Sequence, residues 1–205
     1  MNLKTRLQKI LKLSKNKTML SYHNYKISYE KIDQTSDYIL DCFVKVGINQ
    51  NSTILILNDK SWQFFSCMVA CLKGKITFCN LDPNMPKNRI EQIIEISNPV
   101  LLLNKQDFKN NLKFLKENLK KKVIFSGLKY KIKTYIPYIM FTSGSTGKPK
   151  GVAVKEDGLL RFIDWGTKRF GISGNDTLTN INPIYFDNSI FDFFITIFNG
   201  AKLLP

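Results

Sequence analysis

From residue 27 onward, short apolar runs alternate with longer helical patterns, and this alternation restricts the chain to an α/β layer architecture. Ile27 to Glu30 opens a helix whose apolar positions are Ile32, Tyr38, Ile39, Phe43 and Val46, and Gly47 ends it. Thr53 to Leu57 is a β-branched strand before an Asn58-Asp59 turn. Trp62 to Leu72 reads as a buried helix and Ile76 to Cys79 as a buried strand. Two prolines make Asp82 to Pro86 a loop. Arg89 to Ser97 is a helix with Ile90, Ile93 and Ile94 inward; Pro99 stops it, and Val100 to Leu103 is a strand. Asp107 to Lys121 is a Lys-rich helix with a solvated face. Val123 to Phe125 and Ile136 to Phe141 are strands, Val152 to Val154 is strand-like, and Glu156 to Arg169 is a helix. Ser126 to Tyr135, where Lys129, Lys131 and Lys133 alternate with other residues, fits either an edge strand or an exposed loop. The expected fold is α/β, with a mostly parallel sheet flanked by helices. There is no internal repeat and no low-complexity linker.

Residues 1–24 are expected to form a separate basic amphipathic segment. Leu3, Leu7, Ile10 and Leu11 share one helical face, with Lys4, Lys9 and Lys12 around them, and the first acid is Glu30. Lysines interrupt the apolar run that a secretory signal would need; the segment reads as an amphipathic helix docked on the domain, with organellar targeting and membrane-surface contact as the alternative readings. At 205 residues the chain can bury a core without disulfide or metal staples. Its longest apolar runs, Trp62 to Leu72 and Ile190 to Phe198, fall short of the roughly 20 residues that span a bilayer.

Lys and Arg total 31 against 16 Asp and Glu, a net charge of +15. The lysines are spread over the whole chain rather than gathered in a patch, so nucleic acid is not an expected partner. Cys42, Cys67, Cys71 and Cys79 sit in apolar contexts and read as core. His23 is the single histidine, which argues against Ser-His-Asp and Cys-His catalysis and against a Cys/His metal site. The reduced cysteines point to a cytoplasmic protein.

The residues that carry chemistry lie between 138 and 152. A buried strand runs into Thr142-Ser143-Gly144-Ser145-Thr146-Gly147-Lys148-Pro149-Lys150-Gly151. Glycines let backbone N–H groups converge on one point, hydroxyls add donors, and lysines add positive charge; together these suit phosphate oxygens. The Walker A pattern fails at both ends, with Thr142 where its first glycine belongs and Pro149 where Ser or Thr belongs. The Gly-x-Gly-x-x-Gly spacing fails too. A plain surface turn would explain the glycines and serines but not ordered hydroxyls and two lysines after a buried strand.

This stretch resembles the phosphate-binding signature of the adenylate-forming superfamily, which includes acyl-CoA synthetases, luciferases and the amino-acid adenylation domains of nonribosomal peptide synthetases. Ile27-Ser28-Tyr29-Glu30-Lys31-Ile32 is similar to the family's first adenylation motif, and Leu81 to Pro86 to the stretch after the second. Lys73-Gly74-Lys75 stands where the family has Lys-Ala-Gly, and Asn80 where proline is common. Tyr185-Phe186-Asp187-Asn188-Ser189 resembles the Phe-Asp-x-Ser motif of amino-acid-activating members. Phe162-Ile163-Asp164-Trp165 and Asn182-Pro183 look like D-alanine–carrier protein ligases. The resemblance identifies residues 25–205 as the N-terminal portion of an AMP-binding adenylation domain, part of the large domain of an adenylate-forming enzyme.

The resemblance implies an AMP-forming ligase: a carboxylate attacks the α-phosphate of ATP, giving an acyl-adenylate and pyrophosphate. Thr142, Ser143, Gly144, Ser145, Thr146 and Gly147 would hold the ATP phosphates, and Lys150 the loop or the departing pyrophosphate. Mg²⁺ is expected with ATP, without a protein-only metal site. Asp187, read as a buried carboxylate, would pair with the substrate's α-ammonium, and Asn188 and Phe191 would line its side-chain pocket. The competing reading of Asp187 is helix capping, although Ser189 with Asp192 already makes a capping-box-like start; that of Phe191 is core packing. The family's adenine loop, ribose aspartate, hinge and catalytic lysine lie outside these residues. The resemblance therefore implies a truncated or split domain, a possible complementing C-terminal fragment, and a phosphopantetheine carrier protein as acceptor. An incomplete sheet predicts low stability. Two other readings stand beside amino-acid activation: a non-catalytic nucleotide-binding remnant, and adenylation of a non-amino carboxylic acid.

Overall fold

A computed structural model describes residues 1–50, 52–57, 60–109, 134–143 and 148–205. The elements are α1 (Leu3–Leu13), β1 (Thr18–Ser21), β2 (Lys26–Ser28), α2 (Tyr29–Lys45), β3 (Thr53–Leu57), α3 (Trp62–Gly74), β4 (Thr77–Leu81), α4 (Lys87–Ser97), β5 (Leu101–Leu103), α5 (Lys105–Lys109), β6 (Tyr138–Ser143), β7 (Pro149–Val154), α6 (Glu156–Phe170), β8 (Thr177–Thr179), α7 (Asp187–Asn199) and β9 (Lys202–Leu204). The single expected sheet resolves into two. One has the order β5-β3-β4-β6-β7, with β7 alone antiparallel; the other has the order β2-β1-β9-β8, with β2 alone antiparallel.

The apolar runs are continuous because the strands are buried on both faces. Along β3, Ile54 and Ile56 join the main core while Leu55 packs on the opposite side with Cys79, Leu81 and Ile93. The main core joins α1, α2, α3 and α7 through Leu3, Leu7, Phe43, Phe65, Phe193 and Phe194. Short polar residues start α1, α2 and α3, whereas Pro86, Lys155 and Phe186 precede α4, α6 and α7 without a side-chain cap. Asn2 accepts the Thr5 amide at 2.9 Å, Ser28 that of Lys31 at 3.1 Å and Ser61 that of Phe64 at 3.2 Å. Gly47, Gly171 and Gly200 close α2, α6 and α7 with positive φ.

Several expectations fall on residues 58–59, 110–133 and 144–147, outside the described residues: the Asn58-Asp59 turn, most of the Asp107 to Lys121 helix, the Val123 to Phe125 strand, and the lysine-alternating stretch up to residue 133. The amphipathic helix is present. Leu3, Leu7 and Leu11 are buried, the Leu3 amide donates to Glu156 Oε1 at 2.9 Å, and Arg6 pairs with Asp164. The 24/25 boundary falls between two paired strands, β1 and β2, and β1 also pairs with β9. Nothing in the residue pattern had marked β1, β2 or β8, each only three or four residues long.

The Lys-Gly-Lys departure has a packing cause. A Cβ on Gly74 would come within 2.6 Å of Leu40 Cδ1, so α2 and α3 cross at a position without a side chain. Lys75 takes the left-handed cap of α3 (φ 53) that glycine adopts at lower cost. Lys73 is buried and bonds to Asp33 and, at 2.6 Å, to Asp37.

Candidate functional site

Because β4 and β6 are parallel neighbours, Asp82, just past β4, and Thr142, near the end of β6, lie at the same carboxyl end of the sheet, where ligands bind in open α/β sheets. Two side chains fasten that edge. Arg89 Nη2 on α4 donates to the Thr142 carbonyl at 3.2 Å, across 53 residues of sequence. Tyr185 Oη, just before α7, donates to Asp82 Oδ2 at 3.1 Å, across 103 residues. Arg89 thus places a third cation at the lysine-bearing bend; in the sequence it was visible only as the start of a helix.

β6 and β7 form a hairpin with Thr142 opposite Lys150 and Ser143 opposite Pro149. Thr142 Oγ1 lies 3.4 Å from the Lys150 carbonyl, and Thr142, Lys148 and Lys150 are exposed. Exposed hydroxyl and ammonium groups at the carboxyl edge of a parallel sheet are suited to an anionic ligand. Gly144, Ser145, Thr146 and Gly147 lie outside the described residues.

The start of α7 differs from the sequence reading in two respects. Asp187 is exposed, not buried: it is the first residue of the helix, and its Oδ1 accepts the Asn188 amide at 2.8 Å. A carboxylate there complements the partial positive charge of the helix N-terminus. The Ser189–Asp192 capping box does not form. The helix begins two residues earlier, so Ser189 lies inside its first turn, buried and donating to the Asn182 carbonyl. Asp192 instead accepts from Asn180 Nδ2 at 3.3 Å. Burial raises the Asp192 pKa, opposed by Asn180 and by Lys60; burial lowers that of Lys60, opposed by Asp192. Lys60 donates to the Asn180 carbonyl, and Asn180 Nδ2 donates to Ser189 O at 3.0 Å. Lys60 and Asn180 thereby pin the first two turns of α7, a role no local motif announces.

Asn188 is exposed. Phe191 is half-buried, its ring packed against Phe162 on α6 at 5.4 Å between centroids. Beneath the Ile184–Tyr185 segment runs a narrow crevice bounded by Asn80, Tyr138, Met140 and Ile190. Burial, and secondarily the Asp187 carboxylate, push the Tyr138 phenol up to about 12, so it remains protonated at neutral pH. Among the described residues no group of three His, Cys, Asp or Glu side chains could hold a metal ion, and no helix is long and apolar enough to cross a membrane.

The chain is 28% identical over 193 residues to bacitracin synthase 3 of Bacillus licheniformis, an alignment covering 91% of this chain and 3% of that protein. Its fold overlays on the Vibrio cholerae adenylation domain AlmE in complex with glycyl-adenosine-5'-phosphate (TM-score 0.79, 18% identity, 100% of this chain and 45% of that one). It overlays equally on ATP-bound MatB from Rhodopseudomonas palustris (TM-score 0.79, 15% identity, 100% and 45%). The chain therefore spans less than half the length of each of these proteins. The fold is that of the N-terminal domain of adenylate-forming enzymes. The model of the AMP-binding enzyme family matches residues 7–205, and the chain belongs to that family.

Proposed function

We propose that this chain binds ATP at the β6–β7 bend and takes part in activating an amino acid as its acyl-adenylate. A carboxylate oxygen of the amino acid attacks the α-phosphorus, the α–β phosphoanhydride bond breaks, and pyrophosphate leaves. The observation that carries this reading is the convergence at one sheet edge of the hydroxyl-and-lysine hairpin, Arg89 and the Tyr185–Asp187 segment, held by the Arg89–Thr142 and Tyr185–Asp82 bonds.

In this reading Thr142 and Ser143, with Gly144 to Gly147, donate to the phosphate oxygens, and Lys150 neutralises charge that develops on the departing pyrophosphate. The hairpin offers cations and hydroxyls rather than carboxylates, so Mg²⁺ would arrive with the nucleotide and would supply charge neutralisation beside Lys150. Asp187 is the partner for the α-ammonium. It is open to solvent at the start of α7, and it becomes selective once substrate and the opposing part of the fold exclude water. Asn188 and Phe191 flank the substrate side chain. The catalytic lysine and the adenine and ribose contacts come from outside these 205 residues, and a phosphopantetheine carrier protein accepts the activated acid. The similarity to bacitracin synthase 3 supports an amino acid over other carboxylic acids.

The test is an NMR titration with Mg·ATP. The amides of Thr142, Lys148 and Lys150 should shift, and Mg·adenosine should leave them in place. Unmoved amides in the folded chain would refute the nucleotide site. For the acid, ATP–pyrophosphate exchange in the presence of the remaining adenylation-domain portion should depend on an added amino acid; dependence on an aryl or fatty acid instead would refute the amino-acid assignment.

A further inference from the structure

Lys60 lies just before Ser61, the cap of α3, and its backbone is left-handed, with φ 51°. That conformation costs a lysine energy that glycine would not lose, and it persists where surrounding contacts fix it. Here Tyr22 Oη, from the turn between β1 and β2, donates to the Lys60 carbonyl at 2.8 Å, across 38 residues of sequence. The Lys60 ammonium in turn donates to the Asn180 carbonyl, across 120 residues. Asn180 is wholly buried. Its backbone N–H donates to the Leu204 carbonyl on β9 at 2.8 Å, and its Nδ2 donates to the Ser189 carbonyl at 3.0 Å and to Asp192 Oδ2 at 3.3 Å, both on α7. A continuous line of hydrogen bonds therefore runs from the β1–β2 turn through Lys60 and Asn180 to the helix that begins at Asp187. Nothing local replaces it: Phe186 holds the cap position of α7 and makes no side-chain cap, and Asp187 is exposed.

We propose that Lys60 is a positioning residue for the amino-acid substrate: through Asn180 it fixes where the first turn of α7 stands, and so where Asp187 presents its carboxylate. Tyr22 belongs to the same strut, because it holds the backbone turn from which the Lys60 side chain departs. Neither residue touches the amino acid. This inference rests on the reading of Asp187 as the ammonium partner. The α-ammonium takes no part in bond making, so its contact with Asp187 is equally strong in the ground state and in the transition state. Loosening the start of α7 should therefore weaken amino-acid binding and leave nucleotide binding and the chemical step alone.

The first readout needs only the 205-residue chain. Hydrogen exchange followed by NMR should show the amides of Phe191 and Asp192, in the first turns of α7, exchanging roughly tenfold faster in Lys60→Met than in the unsubstituted chain, with those of Phe194 to Phe198 unchanged. The second readout separates positioning from stability. It is ATP–pyrophosphate exchange with the remaining adenylation-domain portion present and each standard amino acid supplied in turn. For the amino acid that drives exchange, Lys60→Met should raise KM roughly tenfold and leave kcat and the KM for ATP within about twofold. Lys60→Arg, which keeps the cation, should restore most of that affinity, and Tyr22→Phe should raise the same KM severalfold. If Lys60→Met does not fold, Tyr22→Phe carries both readouts, and an unchanged amino-acid KM there would overturn the strut. An unchanged amino-acid KM in folded Lys60→Met, an equal rise in the KM for ATP, or no rescue by Lys60→Arg would overturn it too and leave the activation reading standing. No exchange with any amino acid in the unsubstituted chain would overturn both.

Discussion

The two halves of α7 make opposite use of one helix. Its C-terminal half, from Phe193 to Phe198, is buried. Tyr29 Oη donates to Ala201 O at 2.7 Å and to Thr196 O at 3.2 Å, and Phe194 packs on Tyr138 at 5.5 Å between centroids. Its N-terminal half exposes Asp187 and Asn188, has no side-chain cap, and is held from outside by Lys60 and Asn180 and by the Asn182 carbonyl that accepts from Ser189. One half is buried in the core and the other is open to solvent, so substitutions in the two should separate folding from the proposed selectivity.

Phe194→Ala should break the stable half with the largest effect. It removes a fully buried ring that touches Tyr138, Phe193 and Phe198, and denaturant unfolding should show a loss of about 3–5 kcal/mol. A smaller loss would mean that the core there collapses readily around the gap.

Alkaline pH attacks the same half. Burial raises the pKa of Tyr29 and takes Tyr138 up to about 12, against an ordinary value near 10. The folded state holds these protons more tightly than the unfolded chain. Stability is therefore fully present below pH 10 and lost as pH rises through 12, by roughly 2–3 kcal/mol for Tyr138 alone. Denaturant midpoints measured from pH 9 to 12 should fall, and the fall should shrink in Tyr138→Phe.

Lys75→Gly sharpens the comparison from a distance. It relieves a left-handed cap on α3 without touching α7, and it should raise stability by about 1 kcal/mol in the same assay. Asp187→Asn should have the smallest effect on stability, under about 1 kcal/mol, because the side chain is exposed. Amino-acid-dependent exchange should nonetheless be abolished. A large stability loss with selectivity intact would return Asp187 to the role of a helix-start residue.

The alternation of apolar runs and helical faces was sufficient to read α2, α3, β3, β5 and α6, because each is long or apolar enough to be specified by its own residues. Tyr138 to Gly151 was legible as a buried strand running into a hydroxyl-and-lysine loop, because its chemistry is contiguous; that β7 turns back antiparallel on β6 was not. β1, β2 and β8 escaped because they are short and of mixed polarity, unlike the three leucines of β5, and are defined by their partners. Ser189 looked like a cap because a four-residue spacing cannot tell that the helix already starts at Asp187, with Phe186 in the cap position.

Local sequence determined the longer helices, the apolar strands and where hydroxyls, glycines and lysines gather, since period and turn chemistry act over a few residues. The tertiary structure alone decided that the strands divide between two sheets, that Arg89 meets Thr142 and Tyr185 meets Asp82, that Asp187 faces solvent, and that Phe191 rests on α6. These are contacts between groups far apart in the chain, fixed by how buried faces pack rather than by any residue's neighbours in sequence.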